Sequence, residues 1–212
     1  MKRENVPTGL SLAEYLVIEQ EMVKNVAGPT FFTWIVPPTA IYGHHQSAEA
    51  EVNEEFCREH GIAVVQRKSG GGCVYADRGN LMISYIEPRV KSQESRDPFI
   101  YFLNLIAECL QSAGLPAVTT AHNDILIDGR KVSGWACFKA PTGTIVHGTL
   151  LYDVDIETMM SAITPSTQKL SKHGVESVRQ RVVNIRELTD RFASIEDLQS
   201  YVTEHLVART DD

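Results

Sequence analysis

The sequence predicts an α+β fold in which a mixed β-sheet is flanked by helices. Two kinds of pattern lead to this prediction: amphipathic stretches that begin at N-cap residues, and short β-prone runs bounded by Gly, Pro or Asp-Gly. The segments follow one another without an internal repeat or a low-complexity linker. With 212 residues, 43% of them hydrophobic, the chain is long enough to form a single domain, residues 1–212, with a sizeable core.

The first elements are predicted to be a helix, two short strands and a second helix. Ser11 and Glu14 form a capping box at the start of the first helix. Strands are expected over residues 31–36 and 39–42, separated by two prolines, and an acid-rich helix over 49–60 should end at Gly61. The apolar face of the first helix is expected to consist of Ala13, Leu16, Val17 and Val23.

A glycine run interrupts the next pair of strands. A buried strand over residues 62–66 leads into the run and a strand over 81–86 leaves it, which places the glycines at a sheet edge. Asp97 and Pro98 then open a helix as N-cap and first residue, and Gly114 ends it. Its inner stripe is predicted to be Phe99, Phe102, Ile106 and Leu110.

The C-terminal half begins with a hairpin signal. Residues 125–127 precede Asp128-Gly129, a pair typical of a tight primed turn, and residues 131–138 return as the second strand. A further strand is expected over 144–152, then a short helix over 156–163 ended by Pro165, and a terminal helix over 194–207. The terminal helix should turn Ile195, Leu198, Val202 and Leu206 inward.

Composition excludes several classes of function. A net charge of −7 argues against broad binding to nucleic acid or to an anionic membrane. The sequence contains no apolar stretch long enough to cross a bilayer and does not open like a signal peptide, so a cytoplasmic location is expected. The four cysteines are widely spaced and form no CxxC pair, which favours reduced thiols over a disulfide framework or a structural metal site.

The glycine run, RKSGGGCVYADRGN at residues 67–80, is the first candidate binding motif. Residues without a Cβ let main-chain N–H groups approach an anion closely, and Arg67 and Lys68 would add positive charge. The run matches neither a P-loop nor a dinucleotide-binding fingerprint. A glycine triplet alone is also compatible with an ordinary flexible turn, so the motif needs support from elsewhere.

Two later motifs add candidate side chains. HNDILIDGRKVSG, residues 122–134, places Lys131 near the hairpin turn, and HGTLLYDVD, residues 147–155, places His147 and Gly148 on the following strand. By itself Lys131 is compatible with a solvated surface charge, and His147 with a hydrogen-bonded core histidine. An ammonium group that faces the glycine run would instead contact both a phosphate and an acyl oxygen of a ligand.

The ordered set RKSGGGCVYADRGN, NDILIDGRKVSGWA, HGTLLYDVD and KLSKHGVESVRQRVVNI resembles the catalytic domain of the lipoate–protein ligase A family, within the biotinyl/lipoyl ligase and transferase superfamily. The resemblance extends from about residue 10 to residue 188, and four motifs in order are far more specific than any one of them. It implies a biotinyl/lipoyl ligase-like catalytic domain, with a lipoyl-adenylate lying across the mixed sheet.

The resemblance also implies roles for individual residues. Lys131 is expected to be the catalytic residue, in contact with the acyl carbonyl and the adenylate phosphate. Asp124 is expected to contact Mg²⁺. The implied residues that bind ATP or the adenylate are Arg67, Gly72, Cys73, Val74, Tyr75, Asn123, Asp124 and Lys131. Those implied for the lipoyl group are Gly70, Gly71, Lys131, Ser133, Gly134, His147 and Gly148.

The implied reaction is an ATP-dependent ligation in two steps. Lipoate and ATP, with Mg²⁺, give lipoyl-AMP and pyrophosphate, and a lysine of an acceptor domain then takes the lipoyl group. The implied acceptors are lipoyl domains of 2-oxoacid dehydrogenase complexes and the glycine-cleavage H protein. No nucleic acid or membrane partner is expected.

The sequence departs from the family at two points, which leave alternatives open. Only about residues 190–212 follow the catalytic region, so the C-terminal accessory domain of full-length ligases is expected to be absent and a separate accessory protein becomes possible. Cys73 stands in the glycine run, where a small residue is usual. Together with Cys137 it motivates a second hypothesis, an ATP-independent octanoyl or lipoyl transferase that forms a cysteine thioester. A non-catalytic lipoate-binding module is a third, and a biotin ligase is disfavoured by its more arginine-rich loop.

Overall fold

The computed structural model describes residues 1–89, 96–163 and 181–209. Six α-helices and ten strands are found within these ranges, together with a 3₁₀ turn at Ile185–Glu187. The helices are α1 (Leu12–Asn25), α2 (Ala48–Glu51), α3 (Glu54–Glu59), α4 (Pro98–Ser112), α5 (Ile156–Ala162) and α6 (Ile195–Ala208). The strands are β1 (Lys2–Arg3), β2 (Thr30–Trp34), β3 (Thr39–Tyr42), β4 (Ala63–Gln66), β5 (Val74–Ala76), β6 (Asn80–Pro88), β7 (Ala117–Thr119), β8 (Asp124–Ile127), β9 (Arg130–Lys139) and β10 (Gly143–Leu151).

In the described part of the chain the strands form two sheets, so the predicted α+β fold with a mixed sheet is confirmed. The large sheet has seven strands in the order β1-β2-β6-β10-β9-β8-β7, and only its β1–β2 pair is parallel. The small sheet has the order β4-β3-β5, with β3 parallel to β4 and antiparallel to β5. The small sheet and α1 cover one face of the large sheet, and α4 and α6 cover the other.

Each face of the large sheet buries its own apolar cluster. On one face, Phe102 and Ile106 of α4 and Val202 of α6 pack against strand residues such as Ile83 and Val146. The second cluster joins α1, β3 and β5 to the opposite face through Leu12, Tyr15, Ile41, Ala76, Met82 and Ile145. This second interface, between the large sheet and the α1 layer, contains the candidate site.

Local sequence signals predicted most helix starts and the hairpin correctly. Ser11 caps α1 with Glu14 in a capping box, and Asp97 caps α4 through the amides of Phe99 and Ile100. Asp128 and Gly129 have φ of 50° and 75°, as a type I′ turn requires.

The expected single helix over residues 49–60 is wrong. Val52 is extended and forms a bridge with Ile163, so α2 ends before it. Asn53 then starts a new helix, because its side chain accepts a hydrogen bond from the amide of Phe56 at 3.1 Å. A local cap and a long-range bridge thus divide a segment whose composition favours one helix.

Two expected burial patterns are also wrong. The strand over residues 62–66 was expected to be buried, but β4 is an edge strand with Val64 37% exposed. The buried residues of α1 are Leu12, Tyr15, Glu19 and Val23, whereas Ala13 is exposed and Val17 is 59% exposed. Pro165, the expected end of α5, lies outside the described residues. Among the helices that are described, none has the length and apolar character needed to cross a membrane.

Candidate functional site

A cavity of about 110 Å³ lies between the large sheet and the α1 layer. Its apolar walls come from both layers and include Leu12, Leu16, Trp34, Ile41, Val74 and Met82. The predicted site residues that line it are Arg67, Gly72, Cys73, Val74, Asn123, Lys131, Gly134, His147 and Gly148. The fold therefore brings parts of three separate motifs to one apolar cavity.

The glycine run forms a loop, residues 69–72, that joins the two edge strands of the small sheet, and we call it the glycine loop. Arg67 holds this loop from the inside. The Arg67 side chain is only 6% exposed, and its guanidinium donates to the carbonyl of Ile41 at 3.1 Å and to those of Gly70 and Gly72 at 2.7 Å each. Burial lowers the pKa of Arg67 from its ordinary value. In this structure Arg67 thus shapes the loop, and its expected contact with the nucleotide stays a prediction.

The carbonyls of the glycine loop face inward. Besides the two that Arg67 holds, the Ser69 carbonyl accepts from the amide of His44 at 3.0 Å. A trans peptide unit directs its C=O and the following N–H to opposite sides, so the amides of Gly70 and Gly71 point away from these partners. Neither amide has a hydrogen-bond acceptor among the residues described. Such outward amides form a nest suited to an anion.

Lys131 and Asp124 form an ion pair beside the cavity. The Lys131 Nζ lies 2.7 Å from Asp124 Oδ1, and the approach is that of an ion pair and not of a well-aligned hydrogen bond. About a third of the Lys131 side chain, 33%, is exposed. The ammonium is therefore held at the cavity and remains accessible to a ligand.

A β-bulge explains why Lys131 faces the cavity. Residues three apart on a regular strand face opposite sides of a sheet. The β8–β9 register shifts between Ile125 and Leu126, so that Ser133 pairs with Ile125 and Lys131 with Leu126, and Val132 is the extra residue. Lys131 and Gly134 consequently share a face, and a Cβ on Gly134 would lie 3.1 Å from the Lys131 Nζ.

The fourth motif, residues 169–185, contacts Lys131 through main-chain hydrogen bonds. The Lys131 amide donates to the Arg181 carbonyl at 2.6 Å, and the Val183 amide donates to the Lys131 carbonyl at 3.0 Å. This parallel bridge joins residues 181–183 to the bulged end of β9. Residues 169–180 of this motif lie outside the described residues.

Asn123 lines the cavity and is tied to β9 at both of its polar ends. Its side-chain amide donates to the Trp135 carbonyl at 2.9 Å, and its main-chain carbonyl accepts from the Trp135 amide at 2.8 Å. The same residue borders a second cleft that also includes Gly70, Gly71 and His122. Gly70 and Gly71 thus face this neighbouring cleft and not the first cavity.

His147 belongs to a buried polar network whose partners the sequence did not predict. Its Nδ1 lies 2.9 Å from Glu19 Oε2, and its Nε2 lies 2.7 Å from the Ser69 hydroxyl. Glu19 is 1% exposed and also accepts from the Ser84 hydroxyl at 2.6 Å. With Glu19 as the acceptor, we assign the hydrogen of this contact to Nδ1, and the Ser69 hydroxyl then donates to Nε2. No local signal marks Glu19, because the buried face of α1 differs from the apolar face that the sequence predicted.

Two predicted site residues have mainly structural surroundings. The Ser133 hydroxyl is fully buried and donates to the Thr149 carbonyl at 2.6 Å. Tyr75 is 4% exposed and packs in the cluster behind the small sheet, where burial raises its pKa. Neither side chain lines the cavity.

The thiols near the cavity are poor nucleophiles. Burial is the main cause that raises the pKa of Cys73 to about 12, and the nearby Glu51 acts in the same direction. Burial also raises the pKa of Cys137. All four cysteines are free, as the spacing predicted.

The donor set at Asp124 fits a metal ion that arrives with a phosphate ligand. In the described ranges no three His, Cys, Asp or Glu residues are grouped so as to enclose an ion. Mg²⁺ is commonly held by one or two carboxylates, waters and substrate phosphates, so a single carboxylate is compatible with it.

Comparisons with known proteins place this chain in a family. The chain is 34% identical to the lipoate-protein ligase LplJ of Bacillus subtilis over 92% of its own length and 59% of the relative's. It is 38% identical to a lipoate–protein ligase of Streptococcus pyogenes over 74% of its own length and 45% of the relative's. The chain therefore spans about three fifths or less of these curated relatives.

Solved structures show the same fold. A bi-partite lipoate protein ligase from Thermoplasma acidophilum, studied with its E2 lipoyl domain, superposes with a TM-score of 0.86 at 21% identity, over 97% of this chain and 81% of that one. A lipoate-protein ligase A bound with ATP gives a TM-score of 0.79 at 21% identity, over 99% and 87% of the two chains. The model of the lipoyl protein ligase A/B catalytic domain matches residues 8–207. Since that match covers nearly the whole chain, the chain belongs to the lipoyl protein ligase A/B catalytic domain family.

Proposed function

We propose that this chain is an ATP-dependent lipoate–protein ligase. One observation carries the proposal: the ammonium of Lys131 lines an apolar cavity, and the amide nest of the glycine loop borders the cleft that adjoins this cavity at Gly72 and Asn123. An apolar cavity suits an acyl chain, and the nest and ammonium suit the negative charge of a phosphate. Relatives 34% and 38% identical to the chain are named lipoate–protein ligases, which supports the same substrate here.

In the first step the lipoate carboxylate oxygen would attack the α-phosphorus of ATP. A C(O)–O–P bond forms, the bond to the β-phosphate oxygen breaks, and pyrophosphate leaves with its electron pair. Lys131 and the outward amides of Gly70 and Gly71 would stabilise the negative charge that develops on the phosphate and acyl oxygens. Mg²⁺ bound to the phosphates would be held by Asp124 and would neutralise part of their charge.

In the second step the ε-amine of an acceptor lysine would attack the acyl carbonyl of lipoyl-AMP. An amide bond forms, the acyl C–O bond to the phosphate breaks so that AMP leaves, and the attacking amine gives up its proton to solvent. No protein nucleophile is needed, so catalysis rests on positioning and charge stabilisation. The free amine must reach the acyl carbonyl beside Lys131, which the partial exposure of that side chain allows.

The proposed acceptors are lipoyl domains of 2-oxoacid dehydrogenase complexes and the glycine-cleavage H protein, encountered in the cytoplasm. The Thermoplasma acidophilum protein is described as a bi-partite ligase with its E2 lipoyl domain. This description supports a lipoyl domain as partner and makes a separate accessory protein a component worth adding to the assay.

A cysteine-dependent transferase is the second candidate, and the site disfavours it. Thiolate attack needs an ionised thiol, yet Cys73 has a pKa of about 12 and that of Cys137 is also raised. A binding module without turnover is disfavoured because Lys131 lines the cavity and the amide nest borders the adjoining cleft.

Pyrophosphate release from ATP, Mg²⁺ and lipoate, run beside a gel-shift of an apo lipoyl domain, tests the proposal. We expect release with the wild type, and a fall of roughly 10²–10³-fold in Lys131→Ala, as when one donor to a developing anion is removed. Lys139→Ala, an exposed lysine on the same strand, is the matched control and should keep full activity.

The outcomes separate the candidates. Pyrophosphate release together with modification of the lipoyl domain supports a self-sufficient ligase. Pyrophosphate release without modification of the lipoyl domain indicates that the separate accessory protein is needed. Normal turnover by a folded Lys131→Ala variant would overturn the assignment of that residue. A covalent adduct formed with octanoyl acyl carrier protein in the absence of ATP would support the transferase instead.

A further inference from the structure

The glycine loop rests on a turn that none of the four motifs contains. The turn, residues 43–46, follows β3 and is closed by two hydrogen bonds between Gly43 and Gln46. The Gly43 amide donates to the Gln46 side-chain oxygen at 2.8 Å, and the Gln46 amide donates to the Gly43 carbonyl at 3.0 Å. We call it the supporting turn.

Contacts between the supporting turn and the glycine loop are close. The His44 amide donates to the Ser69 carbonyl at 3.0 Å. Gly43 approaches the loop so nearly that a Cβ on it would lie 2.4 Å from the Gly71 carbonyl oxygen and 3.3 Å from the Arg67 Nη2. Real Cβ atoms do not approach a main-chain oxygen at 2.4 Å, so only glycine fits at position 43 with the loop in this place.

The support also sets the direction of the loop amides. The Ser69, Gly70 and Gly72 carbonyls are hydrogen-bonded on the inner side, and the Gly71 carbonyl oxygen lies against Gly43. Four successive carbonyls thus turn inward. Because each peptide unit is planar, the amides of Gly70, Gly71 and Gly72 turn toward the cavity and the cleft.

We infer that Gly43 and Gln46 are positioning residues for the glycine loop, and that they set the distance of its amide nest from the bound nucleotide phosphate. The inference rests on the proposed ligase function, but the position of the loop can be measured without it. Both residues act through the loop, since neither lines the cavity.

The first test replaces Gly43 by Ala. The new Cβ must displace the Gly71 carbonyl oxygen. Glycines 70–72 have the most conformational freedom of the segments in contact, so we expect the loop to move while the fold persists. We expect the KM for ATP in pyrophosphate release to rise, with a loss of kcat/KM on the order of 10²-fold for a shift near 1 Å. Gly28→Ala is the matched control, because nothing lies within 4 Å of its Cβ position.

Gln46 supplies the second test. Gln46→Leu removes the acceptor that holds the Gly43 amide, whereas Gln46→Glu keeps an acceptor at the same reach. We expect the first variant to raise the KM for ATP and the second to restore most of the wild-type value. Equal KM values for ATP in Gln46→Leu and Gln46→Glu would overturn the positioning role of Gln46.

Hydrogen exchange separates this inference from the proposed function. Peptides spanning residues 67–76 should exchange faster in Gly43→Ala than in the wild type or Gly28→Ala, while peptides from α4 and α6 should not change. An inactive wild type with this exchange pattern would contradict the ligase function and keep the positioning role. An active wild type with unchanged kinetics and exchange in Gly43→Ala would overturn the inference.

Discussion

At the scale of single residues, glycines in this site serve different physical purposes. Gly148, which the resemblance implies for the lipoyl group, lines the cavity. Its lack of a side chain is also required by its partner on β9: a Cβ there would lie 2.3 Å from the Trp135 ring and 2.7 Å from the Gly134 carbonyl oxygen. The glycine thus admits a buried indole that joins β9 to the core beneath it.

Gly148→Ala should therefore destabilise the protein. The buried Trp135 ring and the main chain of a central strand are both held in place by their neighbours. The overpacked variant should therefore lose roughly 1–3 kcal/mol of unfolding free energy. The midpoint of urea denaturation measures the loss. Gly28→Ala, where the Cβ position is open, should leave the midpoint nearly unchanged.

Cys73 gives a second prediction at this scale. A thiol whose pKa is raised to about 12 stays protonated at neutral pH, so it should react with iodoacetamide much more slowly than an unfolded-state cysteine, whose pKa is near 8.5. Mass spectrometry of native and denatured protein at pH 7 to 8 measures both rates. Rapid labelling of Cys73 in the native protein would contradict the effect of burial on the thiol pKa and reopen the thioester mechanism.

At the scale of elements, α1 carries much of the site. It supplies Leu12 and Leu16 to the cavity wall and Glu19 to the His147 network. The start of the helix was predictable because the capping box is a local signal, but the buried face was not. The buried face is set by the cavity and by His147, which lies 128 residues from Glu19 in the sequence.

Removal of the α1 cap should weaken this element. In Ser11→Ala the Glu14 amide loses its acceptor, and a lost N-cap typically costs about 1 kcal/mol. Ser11→Asp keeps an acceptor and is the control. We expect a lower denaturation midpoint for the alanine variant only, and equal midpoints for the two variants would contradict a capping role in the folded protein.

The β8–β9 hairpin shows the same division between local and distant signals. Asp128-Gly129 predicted the turn, but the bulge at Val132 could not be read from the strand pattern. Register depends on what the neighbouring strands pair with, and the Lys131 end of β9 is paired with residues 181–183. The side chain that the motif singled out is thus directed by a bulge inside the motif, whose register the local sequence pattern does not specify.

At the scale of the whole molecule, the sequence predicted the fold class and much of the cavity lining. Motif residues such as Arg67, Lys131 and His147 line one cavity, and their roles toward a ligand stay predictions. The supporting turn and Glu19 were missed because their roles depend on close approach between distant segments. A glycine in an ordinary turn and an acid on a helix have no distinctive local pattern, and only their packing shows what they do.

The bridge between Lys131 and residues 181–183 has a consequence for biosynthesis. The main chain of Lys131 is bonded to a segment about 50 residues further along the chain, whereas its partner Asp124 lies only seven residues before it. Contacts of large sequence separation cannot form until both partners have been synthesised. A chain still on the ribosome therefore cannot complete the surroundings of Lys131 until Val183 has emerged. Arrested nascent chains that stop before this point should hold the hairpin without its final backbone partners.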